Sequence, residues 1–422
     1  MRSRAIRGSV WLSAARAVQL GAQLVSLILL ARYLDKAAFG LAGMAAVVAA
    51  VFGAGADLGM GVLGVQRDEP DERHVARWAL AGGLATAALL FLTAPLFAGL
   101  FGEGESLTSL LRAAACALPC AGIIGAARAR LSRRFAFERM AGLDMEWALV
   151  AAAARVGFAM QGYGAWAIVL GDLVGVAVTA LGFALVAGRP QPGRTAPLLR
   201  DGLHVVGTRL ADVLFGQIDR FFVGVRYGTG ALGLYTFSYP QAMAVIQHGS
   251  PVAEQAALPW LSRVRDAELR DAYATVTRLF ALAALPFATL LWVAAPALVD
   301  WLYPERWREA VPVLRALAVA AFCAGLNGLP GVVWLALGRM RLRFGWSLAN
   351  VALLAVALPL FAGDWLLAVP YTLAARSLLV AVATQVMTRR LIGFPHRLYV
   401  FCLVPGLIAS LGVATLALLF SR

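Results

Sequence analysis

The sequence predicts an all-α protein that crosses a membrane many times. Of its 422 residues, 61% are hydrophobic and only 14% are charged, whereas soluble domains carry about 25% charged residues. Apolar stretches of about 20 residues recur from one end of the chain to the other, and a helix of that length crosses a hydrocarbon core about 30 Å thick.

Apolar windows bounded by charged or Gly/Pro connectors predict thirteen membrane spans. The charged start MRSRAIRG precedes an apolar run that is too long for a signal peptide, so the first span is expected to stay in the protein. The predicted spans are residues 10–31, 39–65, 77–100, 108–127, 143–161, 165–187, 204–225, 231–258, 275–301, 312–337, 344–361, 365–388 and 398–420.

The arginine distribution predicts which side of the membrane each connector faces. The N-terminal segment and every second connector are rich in arginine, whereas the loops FGEGES, QGYGAW and AGDW contain none. Positively charged connectors stay in the cytoplasm. We therefore expect a multi-pass membrane protein with a cytoplasmic N-terminus, and an odd number of spans places Arg422 outside.

The formal net charge of +14 does not indicate a nucleic-acid-binding protein. The arginines lie in short connectors between apolar runs, and there is no basic domain that could lie along a duplex. The four cysteines are best explained as small apolar packing residues, because no histidine lies near them in the sequence. We expect no metal ion, no cofactor and no catalytic residue.

The chain repeats itself at a nearly constant offset. RYLDKAAFGL (32–41) resembles RYGTGALGL (226–234), LSRRFAF resembles LGRMRLRF, and QGYGAWAIVLGDL resembles AGDWLLAVPYTL. Six predicted spans separate the members of each pair, so both halves insert with the same orientation. The sequence therefore predicts two pseudo-symmetric six-helix bundles around a central cavity, in residues 1–200 and 201–390, and one extra C-terminal transmembrane helix in residues 391–422.

Three segments carry a resemblance to a known family. They are IDRFFVGVRYGTGALGLYTFSYP (218–240), ALPWLSRVRD (257–266) and YPERWREAVPVLRALAV (303–319). Through these segments the chain resembles the lipid-linked oligosaccharide (polysaccharide repeat-unit) flippases of the multidrug/oligosaccharidyl-lipid/polysaccharide exporter superfamily. Members of that family commonly have 12 or 14 spans, so thirteen spans depart from the pattern.

The resemblance implies a function as well as a fold. It implies export of undecaprenyl-diphosphate-linked oligosaccharide units across the bacterial inner membrane by alternating access, for surface polysaccharides such as O-antigen or exopolysaccharide. The lipid-linked oligosaccharide and the bilayer are then the expected partners, and a polysaccharide polymerase and glycosyltransferases are further candidates. Two alternatives remain within the superfamily: an ion-coupled multidrug or small-molecule antiporter, and a flippase for the peptidoglycan lipid precursor. A membrane glycosyltransferase is disfavoured, because the connectors are short and carry no exposed acidic pair.

Ionisable residues inside the predicted spans are candidates for the substrate site. A charge at the bilayer centre costs at least about 2.5–3.5 kcal/mol, so such residues usually face the bundle interior or a wet cavity. In span seven, Arg209, Asp212, Gly216 and Asp219 have the spacing of one helix stripe. A diphosphate needs fixed positive charge and arginine stays protonated. The predicted substrate-binding residues are Arg16, Gln23, Arg155, Arg209, Gln217, Asp219, Arg220 and Arg376.

A second group of polar residues could couple transport to a proton or a sodium ion. The candidates are Asp57, Asp212, Glu254 and His248. Asp57 lies in the glycine-rich stretch GAGADLGMGVLG, which suits a bent or closely packed helix, and Pro251 is expected to kink the corresponding span eight. Both kinks are predicted gating points. For each charged residue the alternative is structural: an arginine pairs with an aspartate inside the bundle, or reaches the lipid headgroups from a helix end.

Overall fold

The computed structural model describes residues 2–194, 199–264, 266–327 and 329–420. Within these residues the regular structure is helical, with sixteen α-helices, one π-helical segment and one 3-10 segment. Ten helical segments of this part of the chain are long and apolar enough to cross a membrane. The predicted all-α, multi-pass membrane fold is therefore confirmed, while its arrangement into two six-helix bundles stays a prediction.

The chain divides into two compact units, Met1–Gly233 and Leu234–Arg422, called here the N-unit and the C-unit. The helices that lie wholly or mostly in the N-unit are α1 Arg2–Tyr33, α2 Lys36–Gly53, α3 Met60–Gln66, α4 Glu72–Leu100, α5 Glu105–Ala115, α6 Leu118–Arg133, α7 Phe137–Met160, α8 Trp166–Ala187 and α9 Leu199–Ala242. Those of the C-unit are α10 Ser250–Leu261, α11 Asp266–Leu302, α12 Ala310–Gly325, α13 Pro330–Ala336, α14 Met340–Phe361, α15 Ala368–Ile392 and α16 His396–Phe420.

Each of the thirteen predicted spans overlaps a helix, but three of them, 143–161, 204–225 and 231–258, are not among the ten candidate membrane helices of the described residues. The charged residues of α7 include Asp144 and Arg155, and α9 is interrupted at the non-helical Gly228. Predicted span eight is divided between the end of α9, a π-helical segment at Val245–Gly249 and α10. Charges and interruptions shorten the uninterrupted apolar stretch, which is why length and composition identify ten spans and not thirteen.

Close helix packing in the N-unit depends on glycines. A Cβ atom on Gly122 of α6 would lie 2.3 Å from the carbonyl oxygen of Ala79 in α4. One on Gly175 of α8 would lie 2.6 Å from Cβ of Ala151 in α7. The backbones approach this closely only because glycine has no side chain, an arrangement typical of helix packing in membranes.

In the C-unit, the last helix packs along α11. A Cβ atom on Gly406 of α16 would lie 2.7 Å from the carbonyl oxygen of Ala281 in α11. Cys402 is fully buried in the same core, and the hydroxyl of Tyr399 donates to the carbonyl oxygen of Leu326. The segment predicted as an extra helix thus belongs to the C-unit core. The boundaries at residues 200 and 390 remain predictions about the internal repeat.

Candidate functional site

Predicted span two is broken between α2 and α3, and the carboxylate of Asp57 organises the break. Its Oδ1 accepts a hydrogen bond from the backbone N–H of Gly59 at 2.9 Å, and its Oδ2 accepts one from Gly61 at 3.2 Å. Gly59 has φ +71°, a left-handed conformation that glycine adopts without steric cost. The glycine-rich sequence was predicted to bend this span, and the structure contains a complete interruption there.

A guanidinium group from α9 completes the environment of Asp57. Arg209 Nη1 donates to Asp57 Oδ1 at 2.6 Å. The side chain of Asp57 is 7% exposed and that of Arg209 is 38% exposed, so the pair lies at the edge of a buried site with the arginine on the accessible side. Asp57 and Arg209, both predicted functional residues, therefore form an ion pair, which is the structural alternative given for Arg209.

Helix α6 lies directly against this carboxylate because it has a glycine at the contact. A Cβ atom on Gly125 would lie 2.9 Å from Asp57 Oδ2 and 3.0 Å from Asp57 Cβ. A Cβ atom on Gly61 would approach the same oxygen to 2.7 Å. A larger residue at Gly61 or Gly125 would therefore displace the carboxylate of Asp57.

The N-unit also contains a cavity of about 440 Å³ that is lined by both apolar and polar residues and is called here the N-unit cavity. Residues of α1, α6, α7 and α8 form its walls. Apolar contributions come from Ala15, Ile124 and Val176. Its charged, polar and aromatic lining residues are Arg16, Gln19, Arg128, Asp144, Trp147 and Thr179.

One wall of the N-unit cavity is a fixed ion pair. Arg128 contacts both carboxylate oxygens of Asp144, with Nη1 to Oδ2 at 3.2 Å and Nη2 to Oδ1 at 2.5 Å. The guanidinium carbon of Arg128 also lies 5.0 Å from the centre of the Phe183 ring. From α1, the amide nitrogen of Gln19 donates to the carbonyl oxygen of Asp144 at 3.4 Å. A bidentate pair held in this way has a defined geometry.

Arg16 contributes the net charge of the N-unit cavity. The charge of Asp144 is balanced by Arg128, and within the described residues no carboxylate forms an ion pair with Arg16. Arginine remains protonated at any physiological pH. The cavity consequently holds one guanidinium charge in excess, next to polar groups that are already oriented.

Arg155 lies outside the N-unit cavity, in an ion pair between α7 and α8. Its Nε donates to Oδ1 of Asp172 at 2.6 Å, and its Nη2 contacts the same oxygen. A Cβ atom on Gly171 would lie 2.4 Å from Cγ of Arg155, so the two helices are in close contact at the pair. This is the structural alternative given for Arg155.

The predicted polar stripe on α9 does not share one environment. Asp212 and Gly216 are exposed, whereas Asp219 is buried at 3% exposure. Ten residues at 3.6 per turn leave Asp219 about 80° around the helix from Arg209, which is enough to change its surroundings. Farther along, Arg220 Nη1 donates to Oε1 of Gln217 at 3.2 Å.

The remaining predicted residues lie in several different places. Gln23 is exposed on α1. His248 lies in the π-helical segment, and Glu254 of α10 accepts from Arg343 Nη2 at 3.2 Å. Arg376 lines a largely apolar groove of about 520 Å³ between α14 and α15. The π-helical segment ends just before Pro251, so span eight is irregular where a kink was predicted.

A family model described as polysaccharide biosynthesis protein matches residues 29–312, more than half of the chain. The chain belongs to this family. The resemblance identified from the sequence is thereby confirmed.

Relatives of this polysaccharide biosynthesis protein come from two bacteria. It is 26% identical over 322 residues to teichuronic acid biosynthesis protein TuaB of Bacillus subtilis strain 168, a match that covers 72% of this chain and 65% of TuaB, just under two thirds of that relative. It is 23% identical over 420 residues to lipopolysaccharide biosynthesis protein WzxC of Escherichia coli strain K12, covering 96% of this chain and 85% of WzxC.

A solved structure shares the fold of this polysaccharide biosynthesis protein. The lipid II flippase MurJ, in an inward closed conformation, aligns with a TM-score of 0.75 at 14% sequence identity. The alignment covers 99% of this chain and 98% of MurJ. The similarity extends over nearly all of this chain and shows a common fold.

Several residues of the site in this polysaccharide biosynthesis protein were not predicted from the sequence. Arg128 was interpreted as part of an arginine-rich connector, and Asp144 and Trp147 at the start of predicted span five were not singled out. A signal was nevertheless present, because Arg128 and Asp144 lie at similar distances on either side of the short connector between α6 and α7. Antiparallel helices bring such positions together.

Proposed function

We propose that this protein is a transporter that flips undecaprenyl-diphosphate-linked oligosaccharide units across the bacterial inner membrane for surface polysaccharide biosynthesis. Family membership, the names of two relatives and a multi-pass fold support the proposal. In this proposal the N-terminus is cytoplasmic, the lipid-linked oligosaccharide is cargo and not the substrate of an enzyme, and the polymerase and glycosyltransferases act before and after it.

The observation that carries the proposal is the excess guanidinium group of the N-unit cavity. Arginines within membrane spans usually face the bundle interior or a water-filled cavity, and Arg16 lines such a cavity. Arg128 and Asp144 neutralise each other's charge, whereas no carboxylate among the described residues pairs with Arg16. A diphosphate is the anionic group that the proposed cargo brings to such a site.

The position of the N-unit cavity along its helices fits loading from the cytoplasm. Arg16 lies near the start of the first span, and Arg128 lies near the end of the span that closes at Arg133. Under the arginine-based orientation, both of these helix ends face the cytoplasm. The cargo would therefore meet Arg16 on the side where it is synthesised.

Alternating access requires elements that change conformation, and the break in span two is the candidate in the N-unit. Interrupted helices at charged groups are common at transporter sites. The carboxylate of Asp57 is the candidate coupling group there, while Asp212, His248 and Glu254 remain further candidates for a proton or sodium site. Arg155, Arg209, Gln23, Gln217, Asp219, Arg220 and Arg376 remain candidate contacts for cargo during the cycle.

Substitution of Arg16 tests the proposed function. In a strain lacking the chromosomal gene, Arg16→Ala should lower surface polysaccharide about tenfold to a hundredfold and cause lipid-linked units to accumulate, because a charge-assisted contact contributes about 1.5–3 kcal/mol. Arg16→Lys should restore part of the export, since the charge is kept and the planar geometry is lost.

Arg112 provides a matched control for this experiment. It lies on α5, outside the N-unit cavity, with its guanidinium carbon 4.9 Å from the centre of the Phe91 ring. Arg112→Ala should leave export at the wild-type level. Normal export by Arg16→Ala, at a protein level equal to that of the control, would contradict the proposal.

A further inference from the structure

The wall of the N-unit cavity contributed by α7 carries groups that an anion does not need. Asp144 and Trp147 are one helical turn apart and both line the cavity. A carboxylate paired with Arg128 offers a diphosphate no hydrogen-bond donor, and an indole ring offers it only one N–H donor. These residues therefore indicate that the ligand has a second part, which differs chemically from its anionic group.

The polar groups of this wall are already oriented before any ligand binds. Arg128 fixes both oxygens of Asp144, and the Asp144 side chain lines the cavity and is 15% exposed. Gln19 uses its amide nitrogen on the Asp144 carbonyl oxygen, and its amide oxygen is a second hydrogen-bond acceptor among the lining residues. The cavity lining therefore combines two acceptor groups, a guanidinium group and one aromatic side chain.

This combination discriminates between classes of ligand. A small organic cation would gain a contact with the Trp147 ring but would be repelled by Arg16, since the charge of Asp144 is already balanced by Arg128. A simple phosphate would be attracted by Arg16 but would use neither the indole face of Trp147 nor the acceptor oxygens of Asp144 and Gln19. A sugar joined to a diphosphate fits both, because its hydroxyl groups donate to carboxylate and amide oxygens while the C–H face of its ring packs on the indole.

We propose that Trp147, Asp144 and Gln19 form a saccharide subsite, which holds the sugar attached directly to the diphosphate while Arg16 contacts the diphosphate. This inference rests on the proposed function and deepens it, since it makes the first sugar part of what the N-unit recognises. The cavity volume of about 440 Å³ lies within the range of about 300–1,000 Å³ that small-molecule sites have.

The experiment compares two kinds of probe lipid on the purified full-length protein in nanodiscs. One is undecaprenyl diphosphate, and the other is the same lipid carrying a single glucose or N-acetylglucosamine. Wild-type protein should bind the sugar-bearing lipid about tenfold more tightly than the bare lipid. Trp147→Ala should remove this preference while leaving the affinity for the bare lipid unchanged.

Three further variants separate the subsite from other effects. Arg16→Ala should weaken binding of both probes. Trp147→Phe keeps an aromatic face and should retain part of the preference, which also guards against a folding defect in Trp147→Ala. Trp78 lies on α4, which does not line the cavity, and is 37% exposed, so Trp78→Ala should behave as wild type.

The outcomes distinguish the subsite from the proposed function. Equal binding of the bare and sugar-bearing lipids by wild-type protein would overturn the saccharide subsite while leaving lipid-diphosphate transport in place. A loss of affinity for both probes in Trp147→Ala would also overturn it, since Trp147 would then contact the shared part of the lipids. Binding of neither probe by wild-type protein would contradict the proposed function and the subsite together.

Discussion

Arg209 Nη1 lies 2.6 Å from Oδ1 of Asp57, so a residue of α9 is tied to the break between α2 and α3. The same carboxylate accepts two backbone N–H groups, from Gly59 and Gly61. One side chain therefore stabilises the turn within its own segment and the contact with a helix about 150 residues later in the sequence. The Asp57 carboxylate therefore contributes to both local structure and tertiary packing.

The two roles of Asp57 can be separated by substitution. Asp57→Asn keeps an oxygen that can accept from Gly59 but removes the charge, whereas Asp57→Ala removes both interactions. We expect Asp57→Ala to lower the free energy of unfolding more than Asp57→Asn, by about 1–3 kcal/mol per buried N–H group left without an acceptor. Thermal unfolding of the detergent-solubilised protein gives the order of stability.

A double-mutant cycle with Arg209→Gln isolates the ion pair itself. Because the Arg209 side chain is 38% exposed, solvent screening reduces its contribution and we expect a coupling energy of about 0.5–1.5 kcal/mol. Additive effects of Asp57→Asn and Arg209→Gln would show that the contact does not stabilise the N-unit.

Gly125→Ala should destabilise the N-unit by displacing Asp57. The added Cβ atom would lie 2.9 Å from Asp57 Oδ2, and the carboxylate is held by three donors that resist its movement. Gly157 of α7 has no atom within 4 Å of the position of an added Cβ. Gly157→Ala should therefore raise the stability by up to about 1 kcal/mol, as expected for a helical glycine replaced by alanine. A lower melting temperature for Gly157→Ala than for Gly125→Ala would refute this account.

The Arg155–Asp172 ion pair can be tested by a rescue experiment. Removing one partner leaves a charge within a membrane span, which is more destabilising than replacing both partners. Arg155→Leu and Asp172→Leu should each lower the amount of folded protein, and the double variant should recover it. Export measured on the recovered double variant then decides the predicted role of Arg155: normal export indicates a structural pair, and lost export at normal protein level indicates a cargo contact.

The helical positions could be predicted from the sequence because each span is a local apolar signal. The ion pairs between neighbouring helices were also accessible in principle. Arg128 and Asp144 flank the connector between α6 and α7, and Arg155 and Asp172 flank the connector between α7 and α8. In a tight antiparallel hairpin, positions at similar distances from the turn face each other, so opposite charges placed in this way predict a contact.

Other parts of the candidate site could not be derived in this way. Asp57 and Arg209 are 152 residues apart and no short connector relates them. The N-unit cavity combines four helices whose rotation about their own axes is set by glycine contacts such as Gly175 on Ala151. The residues of the α9 stripe differ in exposure, because ten residues accumulate enough rotation to move Asp219 away from Arg209.

The last helix gives a prediction that concerns the C-unit. Gly406 of α16 lies against the α11 backbone, and a Cβ atom there would be 2.7 Å from the carbonyl oxygen of Ala281. Gly406→Val should therefore separate the helices and expose part of the core around Cys402. We expect the melting temperature to fall by several degrees, because overpacking costs about 1–3 kcal/mol of stability.

Gly412 on the same helix has open space around its Cβ position, so Gly412→Val should leave the melting temperature near that of wild type. Equal melting temperatures for the two variants would mean that α16 is not part of the packed C-unit core, and its deletion would then be tolerated. A selective effect at Gly406 would instead make α16, the thirteenth predicted span, a structural requirement of the C-unit.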